Sequence, residues 1–411
     1  MNQTIKKRIE QIGRGEVPEG YKKTKAGLAA RSWVDIKIGD YIEEYLEKTT
    51  IKNQYPILTS ARKGIMLQSD YYSNNQVTTE DNIGYNIIPR GYITYRSRSD
   101  DGKFRFNENN IVDKGMISYF YPVFSFKSNC NKNFMLELLN FTIYRQAYSF
   151  VEGTAQQVLS FKKLQSLRYT IPPLEEQERI AEILGMQDKL IVFKEKRIAE
   201  KKQQKKYLMQ QLLTGKKRLP GFTGEWKLIK LGDVLLEGSK KAVEDTSKFK
   251  KMTVKLAFKG LEFSKIDREM ADTRPFYVRG ENEIIIGKQN YFNGSVAIVT
   301  KEFAGCICSN AIMSFVVHDA DAKYIFEYIC QRDFMKKYEM LANGTGQKEL
   351  SEKDFLNFSI KIPTIEEQQA IADILSQADK EIELLQKDLE EEKNKKKALM
   401  QLLLTGIVRA V

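Results

Sequence analysis

Two stretches of this chain gather arginine, lysine, amide and tyrosine side chains beside a glycine, the mixture that grips phosphates and touches base edges. The first begins with Arg62 and Lys63 in Thr59-Ser60-Ala61-Arg62-Lys63-Gly64 and continues through Tyr92, Tyr95, Arg96, Arg98, Lys103 and Arg105. The second begins with Lys255 and Lys259 in Lys255-Leu256-Ala257-Phe258-Lys259-Gly260. It continues through Arg274, Tyr277, Arg279, Lys288, Gln289, Asn290 and Tyr291. Arginine and lysine can contact phosphates or guanine edges, and glutamine and asparagine can pair with adenine. Any one of these residues reads more readily as ordinary surface charge or as a half-buried ring than as a base reader. Their clustering in both halves of the chain is what points to nucleic acid. Two loops, Gly153-Thr154-Ala155-Gln156 and Gly344-Thr345-Gly346-Gln347, add Thr154, Gln156, Thr345 and Gln347 as candidates. Their backbone amides could face phosphate, or the loops could simply set up the helices that follow.

Catalytic chemistry is harder to find. No Walker A pattern encodes ATP hydrolysis, and no Asn/Asp-Pro-Pro-Tyr/Phe tetrapeptide is present to grip a flipped adenine. His318 is the only histidine, which argues against a histidine-centred triad or metal site. Cys130, Cys306, Cys308 and Cys330 lack paired CxxC spacing and read as reduced thiols, so no metal site is expected. The chain reads as a binding platform whose chemistry belongs to partners. A net charge of +12 favours a polyanionic one. Met1 to Gly13 lacks an apolar signal core, and no segment approaches the roughly 18 apolar residues of a membrane helix. A cytoplasmic location without membrane contact is expected.

The elements that must position these clusters are written twice. Ile171-Pro172-Pro173-Leu174-Glu175-Glu176-Gln177 returns as Ile362-Pro363-Thr364-Ile365-Glu366-Glu367-Gln368. The register holds without a gap to Leu212-Leu213-Thr214-Gly215 and Leu403-Leu404-Thr405-Gly406, with about half the pairs identical. In each copy proline excludes an upstream helix, acids follow in the first turn, and glycine can take the left-handed cap. Roughly 40 residues at 1.5 Å each give helices of about 60 Å, too long to stand without a partner. A 3-4 alternation selects Ile180, Leu184, Ile191, Ile198, Leu208 and Leu212 in the first helix. In the second it selects Ile371, Leu375, Ile382, Leu385, Leu389, Leu399 and Leu403. Polar residues interrupt both seams at similar levels. Since the first helix leads to the second head and the second leaves it, an antiparallel coiled coil is the simplest pairing.

Each helix follows a globular head. Trp33-x-x-Ile36-Lys37-x-Gly39-Asp40 marks the start of one, and Trp226-x-x-Ile229-Lys230-x-Gly232-Asp233 the start of the other. Short β-branched and aromatic runs predict strands in Ile83–Tyr95, Gly115–Phe126, Glu283–Ile286, Ser295–Thr300 and Ala311–Val317. Helical spacing covers Lys132–Tyr148 and Ala322–Ala342. Between those landmarks the heads share little sequence, which suggests one scaffold with two different specificities. The expected layout is a lead-in (1–32), a first head (33–170), a first spacer helix (171–215) and a linker (216–225). A second head (226–361), a second spacer helix (362–406) and a tail (407–411) complete it. The fold class is α+β, two heads joined by two antiparallel helices in a pseudo-two-fold dumbbell.

Two unlike heads, each followed by Ile-Pro-x-x-Glu-Glu-Gln and a long helix ending in Leu-Leu-Thr-Gly, resemble the specificity (S) subunit of type I restriction-modification enzymes. The resemblance spans nearly the whole chain, including Gly15-x-x-Pro18-x-Gly20-Tyr21. It implies that each head is a target recognition domain reading one half of a bipartite site in double-stranded DNA. It also implies that the helices set the gap and dock two methyltransferase (M) subunits. S-adenosylmethionine would then belong to those partners, and ATP and Mg to restriction (R) subunits where present. No cofactor and no catalytic residue is implied for this chain. Two other readings stay open: a specificity subunit of a methylation-only or type II-like system, and a coiled-coil scaffold that binds no DNA.

Overall fold

A computed structural model describes residues 3–24, 27–71, 81–147, 157–264, 274–339 and 349–410. The chain divides into two compact units, residues 1–193 with 389–411, and residues 194–388. Each contains one head and part of both long helices. No helix among the described residues is long and apolar enough to cross a membrane.

In the first unit the central sheet has four antiparallel strands in the order Phe106–Glu108, Ile93–Tyr95, Val123–Phe126, Ile42–Glu44. Ile93, Phe106 and Phe124 point into the core beside Phe134, Leu138 and Leu139 of the helix Lys132–Ala147. Val34–Lys37 pairs with Arg168–Ile171, so the segment entering the first long helix is hydrogen-bonded to the segment that opens the head. The predicted strand Ile83–Tyr95 is two strands in two sheets. Asn86–Pro89 pairs with Lys114–Ile117, whereas Ile93–Tyr95 belongs to the central sheet. Gly91, at φ +82°, makes the corner between them, a conformation that costs glycine little. Gly115–Phe126 divides likewise.

The second unit repeats the central sheet and the pairs described above. Its sheet runs Leu235–Glu237, Ile312–Val317, Ile284–Gly287, Val296–Ile298, all antiparallel. Lys227–Lys230 pairs with Ser359–Ile362 and Phe276–Val278 with Ile307–Ser309. A hairpin also recurs, Leu58–Ala61 with Gly64–Leu67 in one head and Met252–Val254 with Leu261–Phe263 in the other. The shared contents are thus topological where the sequences diverge. The helix predicted over Ala322–Ala342 is two helices, Ala322–Ile329 and Arg332–Glu339.

The long helices span Leu174–Leu212 and Ile365–Leu403. Within the first unit Ile180 and Leu184 of one pack with Leu403 and Leu404 of the other. Gln187 Nε2 donates to Glu392 Oε2 (2.6 Å), and Lys396 Nζ donates to Asp188 Oδ2 (2.7 Å). Within the second unit Leu212 and Leu213 pack with Ile371 and Leu375. Lys194, Lys201 and Lys205 pair with Asp388 (2.7 Å), Glu381 (2.8 Å) and Asp379 (2.6 Å). Rising numbers on one helix meet falling numbers on the other in both units, so each pairing is antiparallel. Ile198, Ile382 and Leu389 are buried, and Ile191, Leu208, Leu385 and Leu399 are half-buried.

The repeated Glu-Glu-Gln has a structural use in both copies. Gln177 donates to the Pro172 carbonyl and accepts from the Asn131 amide, and Gln368 does the same with Pro363 and Asp321. Asn131 and Asp321 in turn cap their head helices by accepting from the Phe134 and Tyr324 amides. Glu176 and Glu367 are buried carboxylates, each bound through both oxygens by an arginine that follows a long helix. Arg409 holds Glu176 at 2.6 Å twice, and Arg218 holds Glu367 at 2.7 Å twice. Gly406, at φ +72°, then turns against Trp33, and Gly215, at φ +68°, against Trp226.

Candidate nucleic-acid interface

The sheet and hairpin of the first head frame a groove of about 660 Å³. Its lining includes Arg62 and Lys63 from the hairpin turn and Arg96, Arg98, Lys103 and Arg105 from the loop after Ile93–Tyr95. Sequence positions some 40 residues apart thus meet at one surface. Asn107 ties the hairpin down, donating 2.8 Å bonds to Ser60 Oγ and the Ala61 carbonyl. The loop is anchored where Arg98–Ser99 pairs with Gln157–Val158. Six cations face three acids here, Asp70, Asp100 and Asp101, so the wall is basic without being uniformly so.

At the equivalent place in the second head lies a groove of about 590 Å³. Lys251, Leu256, Arg274, Lys288, Gln289 and Asn290 are among its lining residues, and among the described residues none of the lining is acidic. Lys288 sits 3.5 Å from Glu352, which Lys240 also contacts at 2.8 Å. Partial burial pushes the Glu352 carboxyl up, but the two lysines bring it below its ordinary range. Leu256 stands at the rim because Ala257 and Phe258 both take left-handed backbone, φ +57° and +58°. Ala257 and Phe258 amides donate to the Asn293 and Gly294 carbonyls, which hold that turn in place.

Several of the sequence-predicted contacts are elsewhere. Tyr95 is fully buried, its hydroxyl donating 3.0 Å to the Leu159 carbonyl, with its ring on Phe106. Tyr291 is fully buried too, donating 2.7 Å to the Ile329 carbonyl at the end of Ala322–Ile329. Burial drives both phenols far above their ordinary range, as expected for donors in a core. Arg279 is a buried tie, with Nη1 donating 3.0 Å to the Ser239 carbonyl and Nε directed at Cys308 Sγ. These three are corrected to core residues. Each had a polar tip that an internal partner satisfies, a circumstance that residue type alone does not reveal. Tyr92 packs on Tyr45 at 4.9 Å, Lys255 pairs with Glu262 at 2.8 Å, and Lys259 is exposed; none of them lines a groove. Thr154, Gln156, Thr345 and Gln347 lie outside the described residues.

Other lining residues were missed. Asp101 is the clearest, and its signal was the Asp101-Gly102 turn dipeptide. It accepts from Ser99 Oγ (3.0 Å) and the Lys103 amide (3.2 Å) and pairs with Arg62. Gly102 allows this turn at φ +70°, and a Cβ there would collide with the Gln157 side chain. Among the described residues no group of His, Cys, Asp and Glu is arranged to hold a metal ion.

Residues 31–203 and 223–393 each match the type I restriction modification DNA specificity domain, covering both heads and most of both long helices. The chain belongs to this family. The type I restriction enzyme MjaVIII specificity subunit of Methanocaldococcus jannaschii is 24% identical, over 95% of this chain and 96% of its own. The putative MjaX specificity subunit of the same organism is 26% identical, over 95% and 97%. Among solved structures, the type I S subunit from M. genitalium aligns with a TM-score of 0.52 at 14% identity, over 90% and 96%. A chain from a structure on complex assembly and conformational transition of the type I R-M system gives 0.54 at 15%, over 92% and 99%. These structural likenesses show the fold, an α+β one, and the doubled domain match shows the two-repeat organisation of a type I specificity subunit.

Proposed function

We propose that this specificity subunit reads a bipartite, asymmetric site in double-stranded DNA, one half with each head. The observation that carries the reading is the pair of basic grooves at equivalent places in the two heads, lined by unlike residues. Equivalent position on a common scaffold fits a common task. Arg62, Arg96 and Arg98 in one groove against Lys288, Gln289 and Asn290 in the other fit different base sequences. The paired helices serve as the spacer that sets the gap, and with the heads they form the platform on which two methyltransferase subunits dock. In this reading S-adenosylmethionine is carried by those subunits. Restriction subunits, where they join, bring ATP and Mg.

The test is single-molecule methylation sequencing of DNA exposed to the chain assembled with its methyltransferase subunits. The expected result is a gapped motif with two dissimilar half-sites, modified only when both are present. A palindromic motif would contradict the two-reader scheme. Duplex binding should also weaken steeply with salt, as phosphate contacts require. Binding that ignores both DNA sequence and salt would favour the non-DNA scaffold instead.

A further inference from the structure

The Arg62–Asp101 pair raises a question of chemistry, because a carboxylate at a phosphate-binding surface works against binding. Arg62 sits at the hairpin turn with its side chain 74% exposed, and Asp101 lies beside it on the loop that forms the opposite wall. Asp101 is itself held: Ser99 Oγ and the Lys103 amide both donate to Oδ1, leaving Oδ2 for Arg62 Nη2. Its loop is pinned by the Gln157–Val158 strand and turns at Gly102, whose φ of +70° favours glycine. A chance surface pair would not need this support.

We propose that Asp101 is a positioning residue that sets Arg62 to read a guanine in the first half-site. This rests on the reading of the heads as DNA readers. A guanidinium carries five donors in a rigid fork, so one Nη on a carboxylate leaves an edge free to face guanine O6 and N7. The same carboxylate repels phosphate oxygens, which steers Arg62 away from the backbone. Lys63, Lys103 and Arg105 remain to neutralise phosphates. Among the described residues, the second hairpin is built differently. Lys255 there is paired with Glu262 of its own hairpin, and Leu256 stands at the groove. Guanine reading by a braced arginine is therefore assigned to the first half-site.

The experiment compares motifs written by the methyltransferase complex containing wild-type chain, Asp101→Asn, Arg62→Lys, Arg62→Ala or Lys63→Ala. Asp101→Asn and Arg62→Lys should each relax the same guanine position of the first half-site, lowering discrimination there by roughly ten- to a hundred-fold. Arg62→Lys keeps the charge but loses the fork, so it separates base reading from phosphate binding. Arg62→Ala should relax that position and slow modification. Lys63→Ala should slow modification of all sites without changing the motif. The second half-site is the internal control for folding and should stay intact throughout. The proposal is overturned if Asp101→Asn and Arg62→Lys leave the motif unchanged, or if the relaxed position is not a guanine. A wild-type complex that binds and modifies no specific DNA would instead remove the underlying reading, and this assignment with it.

Discussion

Single residues decide how the helix ends are fastened. Glu176 and Glu367 occupy matching positions in the repeat, as do Arg218 and Arg409, and each buried carboxylate meets an arginine from beyond the other long helix. Glu367 is almost fully buried, so Arg218→Ala would strand a charge in a place water scarcely reaches. That change should destabilise the fold, since the arginine bound to both carboxylate oxygens is lost. Urea unfolding of the second unit's transition checks it. Replacing Arg218 and Glu367 together by Met and Leu should recover most of the loss; recovery below half would show that the pair does more than balance its own desolvation. The residue scale was also where the sequence was least legible. Arg62 and Arg279 look alike on paper, one a groove cation and the other a core tie. The difference is set by Ser239 and Cys308, which only folding brings to Arg279.

Elements were more legible, because period and punctuation are local. Pro172, Pro363, Gly215 and Gly406 bracket the long helices as their backbone preferences require. The split of Ile83–Tyr95 was harder to see, since one apolar run serves two sheets and only Gly91 hints at the corner. The polar breaks in the helical seams have a use that sequence could not give. Lys205 reaches Asp379 on the other long helix and Glu327 on the head helix Ala322–Ile329. In the first unit Lys396 reaches Asp188 and Glu137 of Lys132–Ala147 in the same way. Each lysine thus ties a head helix to the helix pair of its own unit. Burial raises the Glu327 carboxyl above its ordinary value even though Lys205 pulls the other way. A raised folded pKa means the native state holds a proton that the unfolded chain has released. Stability from this group is therefore full below the ordinary carboxylate range and is lost as pH rises through the raised value. In Lys205→Met that loss should grow and extend to higher pH, reaching about 3–5 kcal/mol near neutrality. Denaturant midpoints measured from acid to neutral pH should diverge from wild type as pH rises. Adding Glu327→Gln should make the curves parallel again, and persistent divergence would assign the effect to Asp379 or another group.

At the scale of the whole molecule, the proposed spacer role has two continuous helices convert a distance in protein into a count of base pairs. Both helices are 39 residues long, and both pairings are antiparallel, so length can be changed only by changing the two together. Lys194 and Asp388 face each other at 2.7 Å, which marks a level where matched insertions keep the register. One heptad inserted after Phe193 and one after Asp388 preserves the 3-4 alternation and lengthens the pair by about 10 Å. At about 3.4 Å per base pair that is roughly three base pairs. The added length also turns the groove, so the new optimum is expected near three extra pairs and with lower total activity. Methylation sequencing of the double-insertion complex should show the same two half-sites separated by the wider gap. A heptad in only one helix puts the two ends of the pair out of register: if Gln187–Glu392 and Lys396–Asp188 keep their partners, Lys194, Lys201 and Lys205 lose Asp388, Glu381 and Asp379. Modification should then fall to background. If the double insertion instead writes the original gap at the original rate, the helices hold the chain together without measuring anything, and spacing must be fixed by the methyltransferase subunits.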